Sequence, residues 1–444
     1  MTARPGLVTD SQIERMLHGR SATPDASLLA AVLAQVEEAP QDRPWLRGVS
    51  APLSRRTLVL VGFVLLLAAM AAAIAIGFHP PSPLPAVVPH ANGEIVIQGD
   101  GCSLVALDAS TGATSPFFAG VPACIPVVSN YETAWDPIGS RLAFVYSFFC
   151  GGCGSEQAKA AIAGQVAGLW VLDRATSKAK QLVRCPIDCS AGEPTWSPDG
   201  SRIAFILDGQ VWVIPPTGGR PQRLSDGLSS YSHPAWSPDS AEVAYVDANV
   251  GRAGPILAKA DRTGQSVVSA PPGEVVREIA WSPIARSTLV AAAISDGGTL
   301  RIIPSDGSAS RAILSLHDGT SPGSPRWSPD GSHIAYERTL ETTDPQTPVV
   351  LTRAEIWVMA ADGSSPHLLF RAPPPLSALS EVLWSPDGRY LTFSLVSADG
   401  SRSTIYLAAA DGSGVRTLDS AVWNRLQWPR IAWQPLPVRP ASSP

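Results

Sequence analysis

Several features that mark common classes of protein are missing from this 444-residue chain. Charged residues make up only 16% of it and the formal net charge is −5, so a basic surface for nucleic acid is not expected. No glycine-rich phosphate loop of the Walker or dinucleotide type occurs. The seven histidines are scattered without the spacing of metal ligands. We therefore predict no cofactor and no nucleic-acid partner.

One serine motif lacks the setting of a nucleophile. Residues Gly319 to Gly323 match the Gly-x-Ser-x-Gly pattern, with Ser321 at its centre. A nucleophile elbow needs a strand before the serine and a helix after it. We expect this segment to be a loop between repeats, so the sequence offers no catalytic residue. The interpretation at this point is that the chain is not an enzyme.

Positive charge is absent between Arg56 and Arg141. The interval opens with an uncharged apolar run from Thr57 to Gly77, and about 20 such residues span a bilayer as a helix. Arginines precede this run and none follows it closely, which predicts a cytoplasmic N-terminus and an extracytoplasmic remainder. The run and the segment before it are too long for a cleaved signal peptide. We therefore expect residues 55–77 to be a single-pass signal anchor in the cell membrane.

The segments around this helix have different compositions. Residues 1–54 contain two short helix patterns, which begin at Ser11 and Thr23. Helices this short are marginal alone, so this segment is either a weakly folded tail or a docking element for a cytoplasmic partner. Residues 78–92 hold five prolines and predict a semi-rigid spacer. Residues 438–444 are expected to be a disordered tail.

A tryptophan followed by Ser-Pro-Asp-Gly recurs in the remaining chain. Successive tryptophans lie 40 to 61 residues apart, which is the period of a propeller or a related array. Each unit also holds four strand-like segments, which cannot bury both faces alone and must stack radially. The copies, three of them degenerate, are centred on Trp135, Trp196, Trp236, Trp281, Trp327, Trp384 and Trp433.

The turn has a clear physical role in each unit. The tryptophan ends a short strand and offers a large flat body for burial between neighbouring units. Pro198 pre-sets its own backbone angle, Asp199 bonds to local amides, and Gly200 accepts the left-handed conformation. Equivalent turn residues are Asp330, Gly331, Asp387 and Gly388.

These residues resemble the TolB-like β-propeller repeat, also called PD40 or WD40-like. Its hallmark is a Trp-Ser-Pro-Asp-Gly turn followed by Ile-Ala-Phe, as at Ile203 to Phe205, and later by a strand such as Ile356 to Met359. The resemblance covers residues 93–437 and implies an all-β propeller of four-stranded antiparallel blades. TolB itself is soluble in the periplasm and carries an α/β domain before its propeller, so this chain looks like a membrane-anchored variant.

The number of blades follows from the two ends of the repeat region. Residues 94–118 look like the second to fourth strands of a blade, and Ile431 to Pro435 look like an isolated first strand. Together they complete one blade and close the ring, which removes exposed sheet edges. With six internal copies the prediction is seven blades. Six blades remain the alternative if the degenerate copy at Trp281 is misread.

All six cysteines follow the predicted membrane helix, which fits an oxidising compartment. The loop after the second strand and the loop after the fourth strand of a blade lie on the same rim of a propeller. We therefore expect a Cys102–Cys124 disulfide. The other four are expected to bond among themselves, and the alternatives are a four-thiolate zinc site or redox-active thiols at Cys150, Cys153, Cys185 and Cys189.

The same rim carries the longest insertions, at Ser147 to Gly168, 339–353 and 372–381. Function tends to lie on elaborated loops of a rigid scaffold, and aromatic residues and arginine dominate interfaces. Two tryptophans in the candidate set have the alternative role of covering the closing blade. The candidate ligand contacts are Phe148, Phe149, Tyr231, Trp423, Arg425 and Trp428.

The leading hypothesis is an extracytoplasmic, non-enzymatic module that binds a protein or another ligand of a bacterial cell envelope. A transmembrane signal relay is the first alternative, because the layout is similar to that of membrane-bound anti-sigma factors. The cytoplasmic segment lacks the His-x3-Cys-x2-Cys motif of many such factors, and His18 stands alone there. The second alternative is a zinc- or thiol-dependent activity at the cysteine cluster.

Overall fold

The structure is a computed structural model, and the residues that it describes all belong to the second of the chain's two compact units, Ser82–Pro444. The predicted N-terminal helices, the membrane anchor and the C-terminal tail lie outside the described residues. Within the part of the chain that is described, no helix is long and apolar enough to cross a membrane. The described ranges are 90–98, 103–119, 129–148, 167–185, 190–225, 231–247, 254–272, 274–285, 288–294, 298–341, 351–373, 376–397, 403–418 and 431–437.

The described residues form 28 strands. The first half, in chain order, is β1 (His90–Gln98), β2 (Leu104–Leu107), β3 (Thr114–Phe118), β4 (Ser129–Trp135), β5 (Arg141–Phe148), β6 (Gly168–Asp173), β7 (Lys178–Arg184), β8 (Ala191–Trp196), β9 (Ile203–Leu207), β10 (Gln210–Ile214), β11 (Gln222–Arg223), β12 (Tyr231–Trp236), β13 (Glu242–Asp247) and β14 (Ile256–Lys259). The second half is β15 (Gln265–Val267), β16 (Val275–Trp281), β17 (Thr288–Ile294), β18 (Thr299–Pro304), β19 (Arg311–Ser315), β20 (Ser321–Trp327), β21 (His333–Glu341), β22 (Leu351–Ala360), β23 (His367–Arg371), β24 (Leu376–Trp384), β25 (Tyr390–Ser397), β26 (Ser403–Ala409), β27 (Val415–Leu418) and β28 (Ile431–Pro437).

These strands build a propeller of seven four-stranded antiparallel blades. Blade 1 has the order β28-β1-β2-β3, and blades 2 to 7 each take four consecutive strands, from β4–β7 to β24–β27. The last described strand therefore pairs with the first, with Ile431 opposite Ile97 and Trp433 opposite Ile95. The prediction of seven blades closed by a composite blade is confirmed, and the six-bladed alternative is wrong. Blade 1 is called the closing blade below.

Two segments differ from the sequence-based expectation. β1 begins at His90, inside the predicted spacer 78–92, because His90 to Asn92 pair with the end of β28. Much of the predicted insertions 339–353 and 372–381 is strand rather than loop. Leu351 of β22 pairs with Leu376 of β24, and this pair joins blades 6 and 7. In both cases pairing with a distant strand overrides what local composition favours.

The core lies between the blades and is filled from their second strands. The third residue of the Ile-Ala-Phe-type run is a fully buried aromatic side chain in five of the seven blades. Aromatic side chains of this size each bury roughly 150–250 Å² and contribute strongly to stability. Adjacent blades are therefore held together mainly by apolar packing. These five residues are Phe144, Phe205, Tyr245, Tyr336 and Phe393.

Candidate functional site: the central cavity

In blades 2 to 7 the first strand leads into a tight turn. In blade 3, the hydroxyl of Ser197 donates to Asp199 Oδ1 at 2.6 Å and accepts the N–H of Arg202 at 2.9 Å. Gly200 has φ +68°, and its N–H donates to the Ser197 carbonyl at 2.8 Å. The same side-chain bonds recur in blade 7, where Ser385 and Asp387 take these roles. The turn therefore satisfies its own polar groups and holds the strand end rigidly.

At four junctions, the tryptophan before this turn links its blade to the one before it. Trp196 Nε1 donates to the Ala134 carbonyl at 2.9 Å, and Trp236 Nε1 donates to the Thr195 carbonyl at 3.1 Å. In each case the acceptor is the residue that precedes the tryptophan of the previous blade. Two later junctions repeat this arrangement at 3.2 and 3.1 Å, through Trp327 to Ala280 and Trp384 to Arg326.

A cavity of about 540 Å³ lies among the first strands of the blades. The polar residues that line it include Glu132 on β4, Glu193 on β8 and Arg326 on β20. The two carboxylates belong to blades 2 and 3, and Arg326 belongs to blade 6, so the acidic and basic groups approach from opposite sides of a seven-membered ring. Most of the remaining wall is apolar and consists chiefly of Trp196, Trp236, Trp281, Trp327, Pro198, Pro238, Pro283 and Pro329.

Glu132 also shapes the wall next to it. Its carboxylate accepts the backbone N–H of Glu193, which has the left-handed φ of +50°. β8 shifts register between Gly192 and Thr195 at this point. A Cβ on Gly192 would lie 2.9 Å from Glu132 Oε2, so glycine gives the carboxylate room to reach the amide. Left-handed backbone at a residue other than glycine costs roughly 1–3 kcal/mol and persists only where the surroundings support it.

A second pair of blades repeats this clamp. The carboxylate of Glu278 in blade 5 accepts the N–H of Ser324 in blade 6, and Ser324 has φ +44°. Glu132, Glu193, Glu278 and Ser324 each stand three residues before the tryptophan of their blade. Sequence reasoning missed this position, although aligning the copies on their tryptophans would have displayed a glutamate there in four of seven.

The predicted rim contacts are not part of this cavity as far as the described residues extend. Phe148 ends β5 and Tyr231 begins β12, and nothing is described of their side chains. The other four predicted contacts lie outside the described residues. The prediction of a loop at the serine motif is wrong, because Ser321 begins β20, the first strand of blade 6. β20 leads into a turn and not into the helix that a nucleophile elbow needs.

The rim of blade 6 carries a chain of ion pairs. Asp318 Oδ2 accepts from Arg338 at 2.6 Å and from Arg353 at 2.9 Å. Glu355 Oε1, on a buried side chain, accepts from Arg371 at 2.8 Å. The hydroxyl and amide of Thr320, together with the two arginines beside Asp318, lower the pKa of Asp318 to about 2. These pairs fasten the extended β21–β22 hairpin to the segment before β20.

Only one cysteine falls in the described residues. Cys185 is buried, its N–H donates to the Ala167 carbonyl at 2.8 Å, and it is disulfide-bonded. Its partner and the other cysteines lie outside those residues, so the predicted pairing stays a prediction. Among the side chains that the structure describes, no group of three His, Cys, Asp or Glu is placed to hold a metal.

No family model matches this sequence. No curated protein matches it either. Solved structures of the same fold do. A puromycin hydrolase aligns with TM-score 0.51 and 15% identity, over 77% of this chain and 54% of the hydrolase, so this chain spans about half of that protein. An oligogalacturonate lyase in complex with manganese aligns with TM-score 0.50 and 16% identity, over 74% of this chain and 85% of the lyase. A putative TolB from Agrobacterium tumefaciens is 19% identical over 60% of this chain and 96% of its own, with TM-score 0.43.

These likenesses show the fold and correct one prediction. The sequence-based prediction that the chain is not an enzyme is contradicted, because a lyase and a hydrolase are among the structural neighbours. TolB structures are also among the neighbours. The chemistry of the site must therefore be argued from its own residues.

Proposed function

We propose that this chain is a ligand-binding propeller whose site is the central cavity, and that its ligand is zwitterionic. The observation that carries the proposal is a cavity of about 540 Å³ with Glu132 and Glu193 on one side and Arg326 on the other. Sites for small molecules have volumes of roughly 300–1,000 Å³, with mainly apolar walls and a few placed polar groups.

The charged groups favour a particular orientation of the ligand. An ammonium group is attracted to the side that holds Glu132 and Glu193, because charge-assisted hydrogen bonds to carboxylates are strong. A ligand carboxylate is attracted to Arg326, whose guanidinium fork matches carboxylate geometry. Tryptophan and proline between these ends suit an apolar ligand body. An amino acid or a short peptide has this distribution of charge.

The location of the site in the cell is part of the same proposal. The apolar run 55–77 and the arginines before it support a membrane anchor with the propeller outside the cytoplasm. The position of all six cysteines after that run supports an oxidising compartment. We propose that the ligand is met on the extracytoplasmic side of the membrane.

The test is a binding measurement on the full chain in detergent micelles. The probes are dialanine, its N-acetyl form and its C-terminal amide, studied by titration calorimetry. We expect dialanine to bind and each capped form to bind at least tenfold more weakly. Mass spectrometry of the recovered dipeptide shows in the same experiment whether the bound compound is converted.

Matched variants assign the binding to the cavity. Glu132→Gln keeps an acceptor for the Glu193 amide and removes the charge, and Arg326→Gln removes the opposite charge. We expect both to weaken dialanine binding, whereas Glu242→Gln, on the exposed Lys259 ion pair of β13, leaves it unchanged. Equal affinity for dialanine and its capped forms, or affinity unchanged in both cavity variants, contradicts the proposal.

A further inference from the structure

The closing blade lacks the indole link that joins the internal blades. Trp433 of the closing blade and Trp135 of blade 2 are both more than nine-tenths buried. Neither indole N–H has a hydrogen-bond acceptor among the residues that the structure describes. These two tryptophans belong to the junctions on either side of the closing blade. The pattern seen at four internal junctions is therefore interrupted on both flanks of the blade that closes the ring.

At the junction with blade 2, a glutamine makes the link instead. Gln434 follows Trp433, where five other blades have the serine of the turn. Its Nε2 donates to the Gly139 carbonyl of blade 2 at 2.7 Å, and its Oε1 accepts the N–H of Glu94 on β1 at 3.2 Å. The Gln434 side chain is buried. One side chain thus ties β28 both to its partner strand and to the next blade.

Two glycines give this side chain its room. A Cβ on Gly93 would lie 2.7 Å from Gln434 Oε1, and a Cβ on Gly139 would lie 2.9 Å from Gln434 Cγ and 1.9 Å from the Pro435 carbonyl oxygen. Gly139 also has φ +68°, which favours glycine. Because Cβ atoms do not approach other atoms so closely, the backbone is fitted around Gln434 on both sides.

The same strand reaches the central cavity. Ile431, the first residue of β28, lines the cavity wall and pairs with Ile97 of β1. β28 therefore contacts the proposed ligand site at one end and is held by Gln434 a few residues later. β1 in turn receives the chain from the predicted spacer and membrane anchor.

We propose that the closing blade is a latch, in which Gln434 holds β28 against β1 and a ligand in the cavity changes how often that pair opens. The ligand-dependent half of this inference rests on the proposed function, and the other half does not. A local opening of this kind is a regulatory device, because it would carry the state of the cavity to the segment that precedes His90.

The first test is hydrogen exchange, followed by mass spectrometry, on the full chain without ligand. In Gln434→Ala we expect amides of β1 and β28 to exchange about tenfold faster, while those of β8 to β10 keep their wild-type rates. The matched control is Gln210→Ala in blade 3, which removes an amide side chain bonded to Ser225. It should leave β1 and β28 unchanged.

Two results would overturn the latch: equal acceleration in every blade, or none in β1 and β28. If Gln434→Ala does not fold, Gln434→Glu keeps the acceptor for Glu94 and loses the donor to Gly139, and the same pattern of exchange is expected in weaker form. The latch is also overturned if that variant leaves β1 and β28 at wild-type rates.

Adding dialanine tests the ligand-dependent half. A changed exchange rate in β1 and β28 supports the coupling. Binding by calorimetry without such a change overturns the coupling and leaves the proposed function intact. Absence of binding contradicts the proposed function, and the latch is then judged from Gln434→Ala alone.

Discussion

Neighbouring blades are joined by different hydrogen bonds at the internal junctions and at the closing blade. Inside the array, an indole N–H donates to the backbone of the preceding blade, for example from Trp196 to Ala134. At the closing blade, Gln434 makes the buried contacts, and an exposed pair between Arg174 and Glu94 at 3.1 Å adds to them. Each internal blade is built from four strands that are consecutive in the chain. The closing blade depends instead on the pairing of β28 with β1, which come from the two ends of the propeller.

Of the changes considered, removal of β28 should destabilise the propeller most. Deletion of residues 431–444 uncovers Ile95, Val96 and Ile97 of β1, which are fully buried. Each large apolar side chain contributes roughly 1.5–3 kcal/mol when buried, and a whole domain is stable by only about 5–15 kcal/mol. We expect the cooperative thermal transition to disappear in circular dichroism. Deletion of 438–444 alone should leave it in place, and a cooperative transition in the longer deletion would contradict the role of β28.

Replacing tryptophan by phenylalanine should separate the two kinds of junction. Trp196→Phe removes an indole that donates at 2.9 Å and leaves the Ala134 carbonyl without its donor. Trp433→Phe removes an indole whose N–H has no acceptor among the described residues. The first variant should lose about 1 kcal/mol more free energy of unfolding than the second. Urea denaturation measures both, Trp236→Phe should behave like Trp196→Phe, and equal losses would argue against the distinction.

Low pH should remove the stabilising effect of Asp318 in blade 6 and leave that of Gln434 in the closing blade unchanged. The pKa of Asp318 is lowered to about 2, so its stabilising effect is complete above about pH 4 and is lost as the pH falls through about 2. Thermal melts should show that Asp318→Asn lowers the melting temperature at pH 5 and much less at pH 2.5. Gln434→Ala should lower it equally at both values, because an amide does not titrate. A pH-independent effect of Asp318→Asn would contradict the assignment.

The smallest effect is expected at an exposed ion pair of an internal blade. Lys259 Nζ lies 2.6 Å from Glu242 Oε1, and about half of the lysine side chain is exposed. Such pairs contribute about 0.2–1 kcal/mol and are screened by salt. Lys259→Ala should therefore change the free energy of unfolding by at most that amount in urea denaturation. A larger loss that persists in 1 M salt would mean that the blades depend on surface charge as well as on buried links.

Local chemistry explains why the fold was predictable from the sequence. Each copy of the turn carries its own hydrogen-bonding partners, as Ser197 and Asp199 show within five residues. The apolar runs beside the turns then indicate strands, and the count of copies indicates blades. The composite closing blade was predictable because no further strand of a blade follows β28 in the sequence, whereas residues 94–118 lack the first strand of a blade.

The candidate site was not predictable in the same way. The Glu132 carboxylate and the Glu193 amide are 61 residues apart in the chain, and only closure of the ring brings blades 2, 3 and 6 around one cavity. The sequence analysis placed the site on the rim because the loops there are long. Loop length carries no information about a cavity lined by the first strands of the blades. The interpretation of a chain without enzymatic activity failed for a related reason, since a shared scaffold does not decide chemistry.

His90 and Pro437, the first and last described residues, are paired across β1 and β28. Paired strands lie about 4.8 Å apart, so the two ends of the propeller meet at one point. A few added residues could join them, and the ring could be cut instead between two internal blades. Such a circular permutant would move the chain ends to another blade while every first strand kept its neighbours around the axis.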